Sequence, residues 1–188
     1  MKPQRIISLL LVFWTGCLFM QAQKIVKDSI RIQGHQRHFT MYLPDGMPEQ
    51  APLVFVLHGY GNNGKIKTWM NGAADRHKFA LCVPVGLEDP QKKRSWNVGY
   101  PFQEGWEIDD VKTMCTMAKY VQKKYRLSKE NTFLTGMSNG GEMCYLLAYR
   151  KPKEFAAIAS MAGLTLVEMA KRHNYYNVWI DSPTSAEP

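Results

Sequence analysis

The serine at the centre of Gly136-Met137-Ser138-Asn139-Gly140 is the residue of this chain best placed to do covalent chemistry. The five residues spell G-x-S-x-G. That pattern bends a strand sharply into a helix and leaves the central hydroxyl exposed at the turn. Glycine is required on both sides because the backbone turns tightly and the helix packs close. A serine hydroxyl is a weak nucleophile at neutral pH. It needs a base to take its proton and donors to hold the oxyanion that forms when it attacks a carbonyl. The N–H of Asn139, the first residue beyond the serine, is the expected first donor. The second should come from a loop after an earlier strand. His58-Gly59-Tyr60 occupies that place, with the N–H of Tyr60 as the candidate. His58 itself is expected to shape the loop, because a base of this architecture follows the serine in the order Ser…Asp…His.

Strands and helices must hold those residues in place. Asn131 to Thr135 reads as a buried strand before the turn. Glu142 to Arg150, with Met143, Leu146 and Leu147 on one face, reads as the helix after it, closed by Lys151-Pro152. Leu53 to Leu57 is a continuous apolar run, as expected of a central strand covered on both faces. Ile66 to His77 reads as a helix, Phe79 to Val83 and Phe155 to Met161 as strands. The clearest helix is Ile108 to Tyr125, where Ile108, Val111, Cys115, Ala118, Val121 and Tyr125 recur at spacings of three and four. Asp109 and Asp110 in its first turn read as capping acids rather than catalytic ones. Lys24 to Gln33 and Arg37 to Leu43 alternate as strands of a hairpin about Gly34 and His35. Strands alternating with helices from Leu53 onward imply βαβ units: an α/β protein with a mostly parallel sheet and an N-terminal antiparallel hairpin. Pro84 to Trp106 reads as a long irregular loop. Its aromatic residues, among them Trp96 and Trp106, either line a substrate groove or pack the loop onto the body.

Composition narrows the context. Lys2 and Arg5, the apolar stretch from Ile6 to Phe13 and the small Ala22 read as a secretory signal peptide over residues 1–22. Thr15-Gly16-Cys17 offers a lipid anchor at Cys17 as the alternative, and otherwise no membrane association is expected. Without the leader the chain keeps one partial domain, residues 23–181, and an unstructured tail, residues 182–188. Losing Lys2 and Arg5 lowers the formal net charge from +8 to +6. The basic residues are scattered and no basic run interleaves with aromatics, so nucleic acid is not an expected partner. Attraction to acidic polysaccharide is compatible with the charge. Cys82, Cys115 and Cys144 fall in apolar patterns and read as buried free thiols. No Cys/His spacing suggests a metal, and no cofactor is expected.

The elements carry a further signal in their order. Leu57-His58-Gly59, Trp96-Asn97, Asp109-Asp110-Val111, Gly136-Met137-Ser138-Asn139-Gly140-Gly141 and Ala156 to Gly163 follow one another in this chain. Together they resemble the secreted α/β-hydrolase esterases grouped with polyhydroxybutyrate depolymerases and feruloyl or acetylxylan esterases. The resemblance runs from the hairpin to Gly163. It implies ester hydrolysis through an acyl-enzyme on Ser138, no metal, and an ester substrate, in many relatives polymeric. It also implies an acid after a later strand and a histidine after the last one. The sequence stops at Pro188, so C-terminal strands and a complete triad are expected to be missing. Val178-Trp179-Ile180 reads as the next strand, which makes Asp181 the candidate acid. His173, the histidine after Ser138, reads as a helix-end residue. Two other readings stay open: a non-catalytic carbohydrate-binding module built on the aromatic loop, and an acyltransferase or peptidase on the same scaffold.

Overall fold

The computed structural model describes residues 24–65, 69–164 and 178–181. The leader, the lipidation alternative at Cys17, His173 and the tail lie outside the described residues.

The first two strands, β1 (Lys24–Ile32) and β2 (His35–Leu43), form the expected antiparallel hairpin. The turn residues are Gln33 and Gly34, both at positive φ (51° and 79°). Such a two-residue turn matches the right-handed twist of the flanking strands. The hairpin pairs through β2 with β4 (Ala80–Pro84), antiparallel. From there the sheet is parallel: β4, β3 (Leu53–Leu57), β7 (Thr132–Met137), β8 (Ala157–Met161) and β9 (Val178–Asp181). The seven-stranded order is β1-β2-β4-β3-β7-β8-β9.

Helices α2 (Asp110–Tyr125) and α3 (Asn139–Arg150) supply the large core on one face. Val111, Met114, Cys115, Ala118 and Val121 of α2 and Met143, Cys144, Leu146 and Leu147 of α3 meet Leu53, Phe55 and Leu57 there. On the opposite face α1 (Asn71–His77) presents Ala74 to Tyr42, Leu81, Val54 and Val56. Among the described residues β3 is covered on both faces, but unequally. Leu53, Phe55 and Leu57 are buried, whereas Val54 and Val56 are half-buried. Among the described residues the short α1 is the helix that covers their side.

The segment from Pro84 to Trp106 is not an irregular loop. Strands β5 (Leu87–Glu88) and β6 (Arg94–Ser95) pair in a small hairpin, and a 3-10 turn follows at Pro101–Gln103. Its organiser is the buried Gln103. The side-chain carbonyl of Gln103 accepts from the N–H groups of Val98 and Tyr100 (both 3.1 Å). Its amide donates to Ser95 Oγ (3.2 Å) and Trp96 O (3.0 Å).

Candidate active site

Strand β7 ends at Met137 and α3 begins at Asn139, which leaves Ser138 alone at the bend. Its backbone sits at φ 52°, ψ −120°, a region L-residues rarely adopt. Holding a non-glycine residue there costs about 1–3 kcal/mol and persists only where the surroundings over-determine it. The surroundings here are glycine contacts. A Cβ on Gly140 would lie 2.4 Å from Leu57 O, and one on Gly136 2.5 Å from the Gly140 carbonyl. A Cβ on Gly141 would lie 2.6 Å from Ser160 Oγ. The helix thus packs against the ends of β3, β7 and β8 at distances that exclude any side chain. The Ser138 N–H is fixed by Met161 O at 2.8 Å, and the residue is exposed. Among the described residues its hydroxyl has no side-chain partner.

Asn139 opens α3, and the first N–H groups of a helix have no acceptor inside it. Its side chain is fully buried and spent elsewhere. Oδ1 accepts from Trp96 N (2.8 Å) and Nδ2 donates to Trp96 O (3.1 Å). The side chain therefore clips the elbow to the segment after β6, and the backbone N–H stays at the elbow. The second donor loop passes close by: a Cβ on Gly59 would lie 3.7 Å from Ser138 Cβ. Trp96 braces this loop as well, donating from Nε1 to His58 O at 2.9 Å, with the rings 5.0 Å apart. One tryptophan thus ties together the two backbone segments that carry the Tyr60 and Asn139 N–H groups.

The placing of Trp96 in a substrate groove is corrected. The residue is 0% exposed, because its indole is needed inside to join those segments. Trp106 is half-buried, and its carbonyl accepts from Asn97 Nδ2 (3.0 Å). The aromatic side chains gathered beside the elbow are others. Tyr60, 37% exposed, meets Phe102 edge-on at 5.6 Å, and Phe102 lies 5.1 Å from Tyr100. The Tyr100 hydroxyl donates to Glu142 in the first turn of α3. Burial, then the bond to that carboxylate, pushes the Tyr100 phenol above its ordinary value.

His58 is a structural residue. Its Nδ1–H donates to Gly59 O (2.8 Å) and its Nε2 accepts from Gly86 N (2.9 Å), so both ring nitrogens are committed. Burial holds its pKa below 6.5. Asp109 caps α2 as expected, accepting from Lys112 N (2.8 Å). Asp110 does more than cap. It is buried against Arg37 (2.5 Å) and accepts from Asn97 N (2.8 Å). Sequence reasoning missed this ion pair. The available signal was Arg37 on the same strand face as Phe39 and Met41, a charge at an inward position that demands a buried partner. Cys82, Cys115 and Cys144 are free and buried, and burial raises all three thiols above the ordinary range. Among the described residues no group of His, Cys, Asp and Glu is arranged to hold a metal ion. No helix among them is long and apolar enough to cross a membrane. Asp181 ends β9 in register with Met161, which is itself in register with Met137. Its backbone therefore stands level with the elbow, two strands away.

A family model described as "Putative esterase" matches residues 30–182. The chain belongs to this esterase family. Feruloyl esterase B of Neurospora crassa is 28% identical over 130 residues, 65% of this chain and 42% of that protein. Poly(3-hydroxyalkanoate) depolymerase C of Paucimonas lemoignei is 25% identical over 65% of this chain and 30% of its own length. The chain spans less than half the length of these relatives. Among solved structures, an acetyl xylan esterase from Aspergillus awamori superposes with a TM-score of 0.63 at 16% identity. The match covers 76% of this chain and 53% of that one. A ferulic acid esterase gives 0.60 at 19%, over 76% and 60%. This likeness is one of fold, the α/β-hydrolase arrangement of a mostly parallel sheet.

Proposed function

We propose that this chain carries the nucleophile and oxyanion site of a serine carboxylic-ester hydrolase. Ser138 Oγ attacks the ester carbonyl, and the N–H groups of Asn139 and Tyr60 receive the oxyanion. The tetrahedral intermediate collapses, the alcohol leaves with a proton, and an acyl-enzyme remains on Ser138 for water to hydrolyse. The observation that carries this reading is the strained backbone of an exposed serine between β7 and α3. Strain of this kind at a non-glycine residue is retained where function needs the side chain displayed. One oxyanion donor is worth about 100–1,000-fold in rate.

The base that takes the Ser138 proton is not His58, because both its nitrogens are committed. His173 is the histidine to test for that role, and Asp181 is the acid to test beside it. Two strand spacings put the Asp181 backbone about 10 Å from that of Met137. The substrates that the relatives suggest are feruloyl or acetyl esters of plant cell-wall polysaccharide, or a polyester. The 22 N-terminal residues act as a secretory leader in this reading. Hydrolysis of p-nitrophenyl acetate and methyl ferulate tests it. Weak turnover that disappears in Ser138→Ala, with the fold retained, is expected, because no base stands beside Ser138 among the described residues and the oxyanion site alone supplies a residual rate. Turnover unchanged in that variant rules the reading out.

A further inference from the structure

The loop after β3 and the β5–β6 hairpin flank a shallow, open groove of about 660 Å³ beside Tyr60. Lys65, Lys92, Lys93 and Arg94 line it, against one acid on its wall, Glu88. None of the four cations forms a salt bridge among the described residues. The backbone beneath them is firmly built. Asp89 accepts from the N–H groups of Gln91 (2.9 Å) and Lys93 (3.1 Å) and from the Ser95 hydroxyl (3.2 Å). That carboxylate is 3% exposed and turned into the hairpin, while Lys92 and Lys93 stay exposed. Arg94 Nη1 donates to Gly86 O (3.2 Å), and Arg94 O accepts from Gly61 N (2.8 Å). The basic hairpin is thereby bonded to the loop that carries the Tyr60 N–H. A second basic surface, with Lys123, Lys129 and Lys153, lies by Gln50 at the amino end of β3, away from the elbow.

We propose that the groove beside Tyr60 is a carboxylate-binding subsite that holds an acidic polysaccharide, a chain of uronate sugars, with its ester presented to Ser138. The proposal rests on the esterase reading and adds the charge of the substrate to it. Unpaired cations beside a reaction centre concentrate an anionic polymer there. A polyester or a neutral xylan has no charge for them to meet. A nucleic acid is anionic but brings no carboxylic ester to the serine.

Retention on polygalacturonate tests the proposal without requiring turnover, because it is measured in Ser138→Ala. Two charge-matched variants are compared: Lys65→Gln/Lys92→Gln/Lys93→Gln in the groove and Lys123→Gln/Lys129→Gln/Lys153→Gln at the far surface. Arg94 is kept because it holds the loop. The parent should bind polygalacturonate, release it at high salt and ignore neutral arabinoxylan. The groove variant should lose about ten-fold in affinity and the far variant much less, since exposed charges act over roughly one Debye length. Equal losses in the two variants, no retention by the parent, or tighter binding of a single-stranded oligonucleotide lost with the groove lysines would each overturn the proposal. Ester turnover by the wild type without polygalacturonate retention removes the subsite and leaves the esterase reading standing.

Discussion

Trp96 and Asn139 show how much of a site lies beneath the residues that react. Asn139 serves twice in the proposed site, its N–H as an oxyanion donor and its side-chain amide as a grip on Trp96. Removing that amide in Asn139→Ala leaves the N–H in place but frees the elbow from its brace. A misplacement of about 1 Å can cost on the order of 100-fold, so kcat should fall about that far with KM little changed. Steady-state kinetics on a nitrophenyl ester check this. Trp96→Phe keeps an aromatic ring but loses the pyrrole half of the indole and its bond to His58 O, so a cavity cost adds to the lost hydrogen bond. A buried carbonyl left without its donor should cost about 1–3 kcal/mol in denaturant unfolding. His58 gives a pH signature. Burial depresses its pKa below 6.5, so the unfolded chain takes a proton there that the folded one refuses. Its contribution is present above pH 6.5 and is lost as pH falls below it. Unfolding free energies at neutral and mildly acid pH should drop less steeply in His58→Gln than in the wild type. The G-x-S-x-G pattern was legible because glycine spacing is a local requirement. The role of Trp96 was not, because its partners are 38 and 43 residues away.

The elements divide by how their cores are built. Helix α2 was legible from its stripe, and its N-cap from Asp109, since both are read within a few residues. The β5–β6 hairpin was hidden. Its two-residue strands carry no periodicity, and Gln103 and Asp89 organise it through side-chain bonds to backbone. Arg37 and Asp110 couple the N-terminal hairpin to α2, and through Asn97 to the segment that bears Trp96. Removing one member of a buried pair strands the other charge and costs about 3–5 kcal/mol. Arg37→Met should therefore lower the unfolding free energy by about that amount. Its cost should exceed that of Lys119→Met, which breaks an exposed pair. Gly140→Ala should destabilise the β7–α3 junction by at least about 1–3 kcal/mol, because its Cβ would strike the backbone of β3. Thermal melts check both.

At the scale of the whole molecule, the sheet brings the elbow, the Gly59 loop and the end of β9 to the carboxyl ends of its parallel strands. β7 lies between β3 and β8, and β9 pairs with β8. The hairpin-first, mostly parallel order was legible because strand and helix periods alternate along the chain. The face that each strand buries was not. Leu53 to Leu57 reads as uniformly apolar, yet its two sides meet unequal cover. Trp96 lies in the core and so cannot be the platform of a carbohydrate-binding surface.

The nucleophilicity of Ser138 is the claim on which the rest depends. A fluorophosphonate probe followed by peptide mass mapping measures it directly. A single adduct on Ser138, absent from a folded Ser138→Ala variant and from heat-denatured protein, is the predicted result. A folded protein that leaves Ser138 unmodified, or carries its adduct on another residue, contradicts the account.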